Sequence, residues 1–283
     1  MLKRFTVDGY RNFPVPVTFD FSASRDYQFA ENNVRRGIVT TALLIGRNAS
    51  GKSNFGASLF DITLGFSKIF DFTDQEDRLY LNADCARGTA RFTYNFEFDG
   101  REICYRYEKI APRAWLHESL AIDGECIFDF NNYKGVFEEK HLDRIGADGV
   151  NFEFSDSSLS LLAYITSSLP TDVLGVLAEL RLFVSRMRLI RMDDVRIKGI
   201  ETRRVIDRII REDKVAHFQS FIRDFGIDEN LVVAKEPDGT PVLYFDHPMR
   251  YIPFVEACSS GTRTLVKLFS ELELKESASF LFI

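Results

Sequence analysis

The chain has little cysteine, and what it has is not arranged for chemistry. Its 283 residues include Cys85, Cys104, Cys126 and Cys258, with no C-x-x-C pair among them. A disulfide framework or a cysteine-rich zinc site is therefore not expected, and a reducing, cytoplasmic compartment is. The four histidines, His117, His141, His217 and His247, show no H-E-x-x-H spacing, so no metal centre is readable. No apolar run approaches a membrane span, and MLKRFTVDGYRNF at the N-terminus lacks the apolar core of a signal peptide. A guanine-reading N-K-x-D element is missing, and the one D-x-x-G of note, Asp172 to Gly175, falls inside a helical pattern, so a GTPase is not expected. No heptad run persists, which argues against a long coiled-coil arm. Positive charge is not in surplus either. A net charge of −6 argues against a general nucleic-acid coat.

What is present reads as an α/β protein with a dense aromatic core. Hydrophobic residues make up 45% of the chain, and 27 residues are phenylalanine. Residues 1–146 are strand-rich, with KRFTVDGY, PVTFDF and GIVTTALLI expected as strands. Phe55, Leu59, Ile62 and Phe66 then stand at helical spacing, and a hairpin turns at Asp99-Gly100. Residues 147–227 switch to helical periodicity, as an insertion, with Thr171 expected as an N-cap. Residues 228–283 return to strands, with a hairpin at Pro237-Asp238-Gly239. A helix near Thr262 follows, with Leu265, Leu268, Phe269 and Leu272 as its expected apolar stripe. The end, SASFLFI, is expected as a buried strand.

The segment LLIGRNASGKSNF carries the chemistry. Gly46-x-x-x-x-Gly51-Lys52-Ser53 has the parts of a phosphate-binding loop: glycines that let backbone N–H groups converge on an anion, a lysine for the phosphate oxygens, and a hydroxyl for Mg²⁺. The helix expected after it adds the positive end of its dipole. By chance these four positions recur in roughly one chain in a hundred of this length. A second anion site is readable in EACSSGTRTLVKLF, where Ser259, Ser260 and the N–H of Gly261 open an amphipathic helix. The plainer explanation of that stretch is a serine-rich N-cap.

GYRNF, GRNASGKSN, VLYFDH, PFVEACSSGT and the apolar strand after it together resemble the ATP-binding-cassette ATPases of the SMC, RecF and OLD type. Within that group the nearest likeness is to the OLD-like, AAA-type ATPases of bacterial phage-defence loci. The resemblance covers nearly the whole chain in order. It implies an ABC-ATPase head: a mixed sheet with an antiparallel subdomain around a phosphate-loop core, plus a helical insertion. It also implies that ATP and Mg²⁺ are bound between two protomers. Carried over by motif, Asn48, Ala49, Ser50, Gly51, Lys52, Ser53 and Asn54 bind phosphates, Lys52 acts catalytically, and Ser53 holds the metal. Arg11 reaches the nucleotide from the first strand, and Ser259, Ser260 and Gly261 contact the γ-phosphate of the partner. Cys258 and Arg263 depart from the group's pattern, and Gln75 is the one candidate for a Q-loop. The aspartate and glutamate that follow the signature strand in the family are expected beyond SFLFI. The resemblance therefore implies a head cut just before them, and Asp246 in VLYFD reads as a hairpin residue.

Function follows from that likeness as an expectation. An ATP-driven dimerising switch would act on an effector protein such as a nuclease, in phage defence or DNA maintenance. An ATP-binding scaffold without turnover and a small-molecule kinase are the alternatives. The span Arg181 to Lys214 holds eleven basic and six acidic residues; it reads as a solvated helical face, with nucleic acid the sharper alternative. Trp115 reads as core or interface, and Tyr94, Tyr105 and Tyr107 as hairpin packing.

Overall fold

Alternating apolar and polar residues from Ala90 onward dictate strands whose two faces differ, and the computed structural model of the chain forms them. It describes residues 1–23, 31–66, 78–150, 160–190, 199–273 and 278–283. Two compact units divide it, Met1–Met187 and Arg188–Ile283. The helical stretch 147–227 is thus shared between them.

The first unit is built on a seven-stranded antiparallel sheet. Its strands are β1 (Leu2–Asp8), β2 (Val17–Asp20), β5 (Ala90–Phe98), β6 (Arg101–Ala111), β7 (Ala114–Ile122), β8 (Glu125–Asn131) and β9 (Val136–Lys140), in the order β2-β1-β5-β6-β7-β8-β9. The short strands β3 (Val34–Arg35) and β4 (Ile38–Val39) pair separately. Asp99 and Gly100 turn the β5–β6 hairpin with positive φ at both positions, 48° and 80°, as an Asp-Gly turn requires. One face buries Phe5, Phe92, Tyr94, Phe96, Tyr105, Tyr107, Trp115 and Phe128. Against this face pack α1 (Lys52–Leu59) on β1, α3 (Leu161–Ser168) on β7 and α5 (Val176–Ser185) on β5; α2 (Ile62–Phe66) and α4 (Thr171–Leu174) complete the layer. The mixed α/β class and the aromatic core are as the sequence indicates.

Four local expectations are corrected. GIVTTALLI does not form a long strand: only Ile38–Val39 is extended and paired, while Leu43 and Ile45 are 84% and 82% exposed. A strand exists through its ladder, and among the described residues nothing pairs with 40–46; the N–H groups of Val39 and Thr40 go instead to Phe21 and Asn33. The helix after Lys52 breaks at Phe60-Asp61. There the Tyr94 hydroxyl donates to the carbonyls of Ser58 and Leu59 (3.0 and 3.2 Å) and accepts from the N–H of Ile62 (3.3 Å). Thr171 is the first helical residue and Pro170, with φ −61° and ψ 149°, is the cap; Gly175, at φ 51° and ψ −126°, then divides the expected single helix. The buried stripe of the last helix lies on Val266, Phe269 and Ser270, with Leu265, Leu268 and Leu272 only half-buried.

The second unit has a three-stranded antiparallel sheet, β11 (Asn230–Lys235), β12 (Pro241–His247) and β13 (Arg250–Pro253). With it go α6 (Gly199–Arg211), α7 (Val215–Arg223), α8 (Phe254–Ala257) and α9 (Ser260–Leu272). Their shared core is Ile206, Ile209, Phe218, Ile222, Leu243, Phe254 and Phe269. Gly239 turns the β11–β12 hairpin at φ 86° beside Asp238, whose Oδ1 accepts from the N–H of Thr240 (2.9 Å). The end of the chain forms β14 (Phe280–Phe282), which pairs with β10 (Met187–Leu189) and is half-buried rather than the buried strand expected; beside it the N–H of Ile190 donates to the Phe282 carbonyl (2.8 Å).

Candidate functional site

The phosphate-loop sequence folds as a tight loop opening directly into a helix. Ser50 N–H donates to the Arg47 carbonyl (3.2 Å), Ala49 takes φ 62°, and Gly51 takes φ 94° as the residue before α1. Only a small or absent side chain tolerates these positions. A Cβ on Gly46 would lie 2.7 Å from Ser50 Oγ, and one on Gly51 would lie 2.0 Å from Asn12 Nδ2, besides the strain of its φ. No side chain caps α1, so its first-turn N–H groups are left without a capping side chain. Lys52 folds back across it, its ammonium donating to the carbonyls of Gly46 and Arg47 (2.8 and 2.9 Å). Asn48 and Ser53 are exposed at the rim.

Arg11 joins this loop. Its Nη1 donates to Asn54 Oδ1 (3.1 Å), and its Nε is enclosed with no hydrogen-bond partner. Arg11 takes φ 46°, a turn fixed by its N–H donating to the Tyr80 carbonyl (3.0 Å) and by Asn82 Nδ2 donating to its own carbonyl (2.5 Å). An orphaned guanidinium nitrogen, a glycine-lined cradle and a lysine on the loop are the donor set that a triphosphate needs. A serine hydroxyl beside them suits magnesium. The residues fit ATP with Mg²⁺.

Several site-supporting residues escape a motif search. Asp61, just past α1, is buried and pairs with the fully buried Lys109 at 2.6 Å. It also accepts from the hydroxyls of Tyr80 (2.8 Å) and Tyr107 (2.9 Å). Burial lowers the pKa of Lys109 while the Asp61 carboxylate opposes that shift, and the ammonium lies 4.0 Å over the Trp115 ring. Burial, then the adjoining carboxylates, raises the phenols of Tyr80, Tyr94, Tyr105 and Tyr107, so they stay protonated and donate. Glu118, also buried, accepts from Tyr105 (2.7 Å), Ser160 (2.9 Å), Asn132 (2.9 Å) and the N–H of Leu161 (2.8 Å) at the start of α3. The sequence signal was faint: charged residues at inward positions of otherwise apolar strands. Trp115 and the three tyrosines do pack on the hairpins, but as parts of a polar network.

The signature-like residues lie in the second unit, where Ser259 is the N-cap of α9. Its Oγ accepts from the N–H of Thr262 (3.1 Å) and meets Thr262 Oγ1 (2.9 Å), while Ser260 and Gly261 are exposed in the first turn. The capping explanation thus describes Ser259, and the exposed donors are those of Ser260 and Gly261. Cys258 is buried, which pushes its thiol up to about 12. Arg263 Nε is enclosed without a hydrogen-bond partner. Asp246 sits exposed near the end of β12, opposite Asn230 and Tyr251. In the basic span, Arg203 pairs with Glu256 and Arg208 donates to Ser270 (2.5 Å), while Arg204 is exposed. Gln75, Arg191, Asp193 and Asp194 lie outside the described residues.

No protein-family model matches the chain, and no curated protein matches it. No helix among the described residues is long and apolar enough to cross a membrane. Among solved structures, the chain is similar to the SMC head domain from Thermotoga maritima, at 15% identity and a TM-score of 0.35, over 97% of this chain and 73% of that one.

Proposed function

We propose that the chain binds ATP with Mg²⁺ through the loop Gly46–Asn54 and works as an ABC-type ATPase head. The observation that carries this is local: Lys52 lies across a loop whose Gly46 and Gly51 leave no room for side chains, immediately before an uncapped helix. The backbone N–H groups and the ammonium hold the phosphates there, and Arg11 adds a third positive donor. The Ser53 hydroxyl holds magnesium, which neutralises phosphate charge when bound. Following the motif resemblance, Ser260 and Gly261 of a second protomer cap the γ-phosphate, so that ATP closes a homodimer. The closed dimer signals to an effector, in anti-phage defence or DNA maintenance.

The test is calorimetric titration of the chain with MgATP, alone and as Lys52→Ala, with sedimentation velocity in parallel. Loss of detectable binding in Lys52→Ala and an ATP-dependent rise in mass, abolished by Ser260→Arg, support the reading. Unchanged affinity in Lys52→Ala refutes it. Binding with a constant mass would retain the ATP site and remove the dimer.

A further inference from the structure

Next to Arg11 stands a residue that motif matching passes over. Asn12 Oδ1 accepts from Asn54 Nδ2 (2.9 Å), and Asn54 Oδ1 accepts from Arg11 Nη1 (3.1 Å). The three side chains form one line: Asn12, Asn54, Arg11. Asn12 is itself wedged, because its amide rests against the Cα of Gly51, where a methyl group would come within 2.0 Å of Nδ2. The loop glycine therefore serves two purposes, turning the backbone and admitting this amide. Asn54 is the first-turn residue whose side chain can flip its amide. The donor-only guanidinium of Arg11 requires the oxygen end of this amide, and Asn12 Oδ1, accepting from the nitrogen end, holds the amide in that orientation from the other side.

We propose that Asn12 is a positioning residue of the nucleotide site, orienting the Asn54 amide so that Arg11 is held toward the phosphate loop. This deepens, and rests on, the ATP-binding reading above. Asn12 touches no phosphate; it acts through Arg11. Its removal costs affinity by releasing the guanidinium, so the loss depends on Arg11 being present. A purely structural role would cost the same whether or not Arg11 is there.

The experiment is a double-mutant cycle on the full chain with a fluorescent ATP analogue and Mg²⁺, using Asn12→Ala, Arg11→Ala and the pair, with Lys52→Ala as a separate control. Asn12→Ala is expected to weaken binding about tenfold, the order for losing one hydrogen-bond partner in such a network. In the Arg11→Ala background the same change is expected to cost less than about twofold. An Asn12→Ala affinity within twofold of wild type, or equal losses in both backgrounds, overturns the proposal. Should Asn12→Ala fail to fold, Asn54→Ala severs the line from the helix side and is read against Arg11→Ala by the same criteria. If Lys52→Ala retains full affinity, the phosphate-loop reading falls; if it loses affinity while Asn12→Ala does not, only the role of Asn12 falls.

Discussion

At the scale of single residues, the most consequential charges are buried ones that no motif contains. Lys109 has no exposed surface and survives as an ion-pair partner because Asp61 lies 2.6 Å away and two tyrosine hydroxyls satisfy the rest of that carboxylate. Such a pair adds little over a well-packed apolar alternative, but removing one partner strands the other in a dry site. Lys109→Ala is therefore expected to lower stability by about 3–5 kcal/mol, read as a shift in the urea unfolding midpoint. Asp61→Leu with Lys109→Met together should recover much of that loss. A single Lys109→Ala within 1 kcal/mol of wild type, on the order of an exposed pair, would contradict the burial argument. Cys258 shows the opposite use of burial. Its thiol, raised to about 12, favours the neutral form in the fold. That contribution is complete below the unfolded thiol's pKa and is lost as pH climbs toward the folded value.

Among elements, α1 is held at both ends. Arg11 and Asn12 grip its first turn through Asn54, while Tyr94 takes its last carbonyls and Asp61 anchors the residue beyond. Tyr80 serves both ends, its carbonyl receiving Arg11 and its hydroxyl donating to Asp61. Another helix of this layer, α3, relies on a buried carboxylate instead. Glu118 receives its first N–H groups and the Ser160 hydroxyl that caps it. Replacing Glu118 by Gln turns an acceptor oxygen into a donor facing donors, and is expected to cost about 3 kcal/mol. Urea unfolding of Glu118→Gln with a midpoint equal to wild type would contradict that.

The same elements show what the sequence makes legible. The hairpins at Asp99-Gly100 and Asp238-Gly239 were readable because turn chemistry is local, and the loop Gly46–Ser53 because its spacing is. The strand expected over GIVTTALLI was not, because apolar composition does not supply a ladder partner. The break after Leu59 was equally hidden: it depends on Tyr94, thirty-odd residues away, inserting its hydroxyl. The stripe of α9 shifted by one residue, bringing in Ser270, whose hydroxyl accepts from Arg208 on α6. Contacts distant in sequence decided these three, whereas the cap at Pro170 and the break at Gly175 are local.

For the whole molecule, each compact unit carries one part of the proposed site: the phosphate loop with Arg11 in Met1–Met187, and Ser260 with Gly261 in Arg188–Ile283. On the proposed function these parts meet around ATP between two protomers, so nucleotide binding and assembly become a single linked equilibrium. Concentration and ATP should then substitute for one another in driving assembly. The first requirement remains the loop itself. The most direct measurement is hydrogen–deuterium exchange of the chain with and without MgATP. The account predicts slowed exchange in peptides spanning Gly46–Phe55 and the Arg11 turn, absent in Lys52→Ala. Protection elsewhere, with residues 46–55 exchanging as fast as in the nucleotide-free chain, would contradict it.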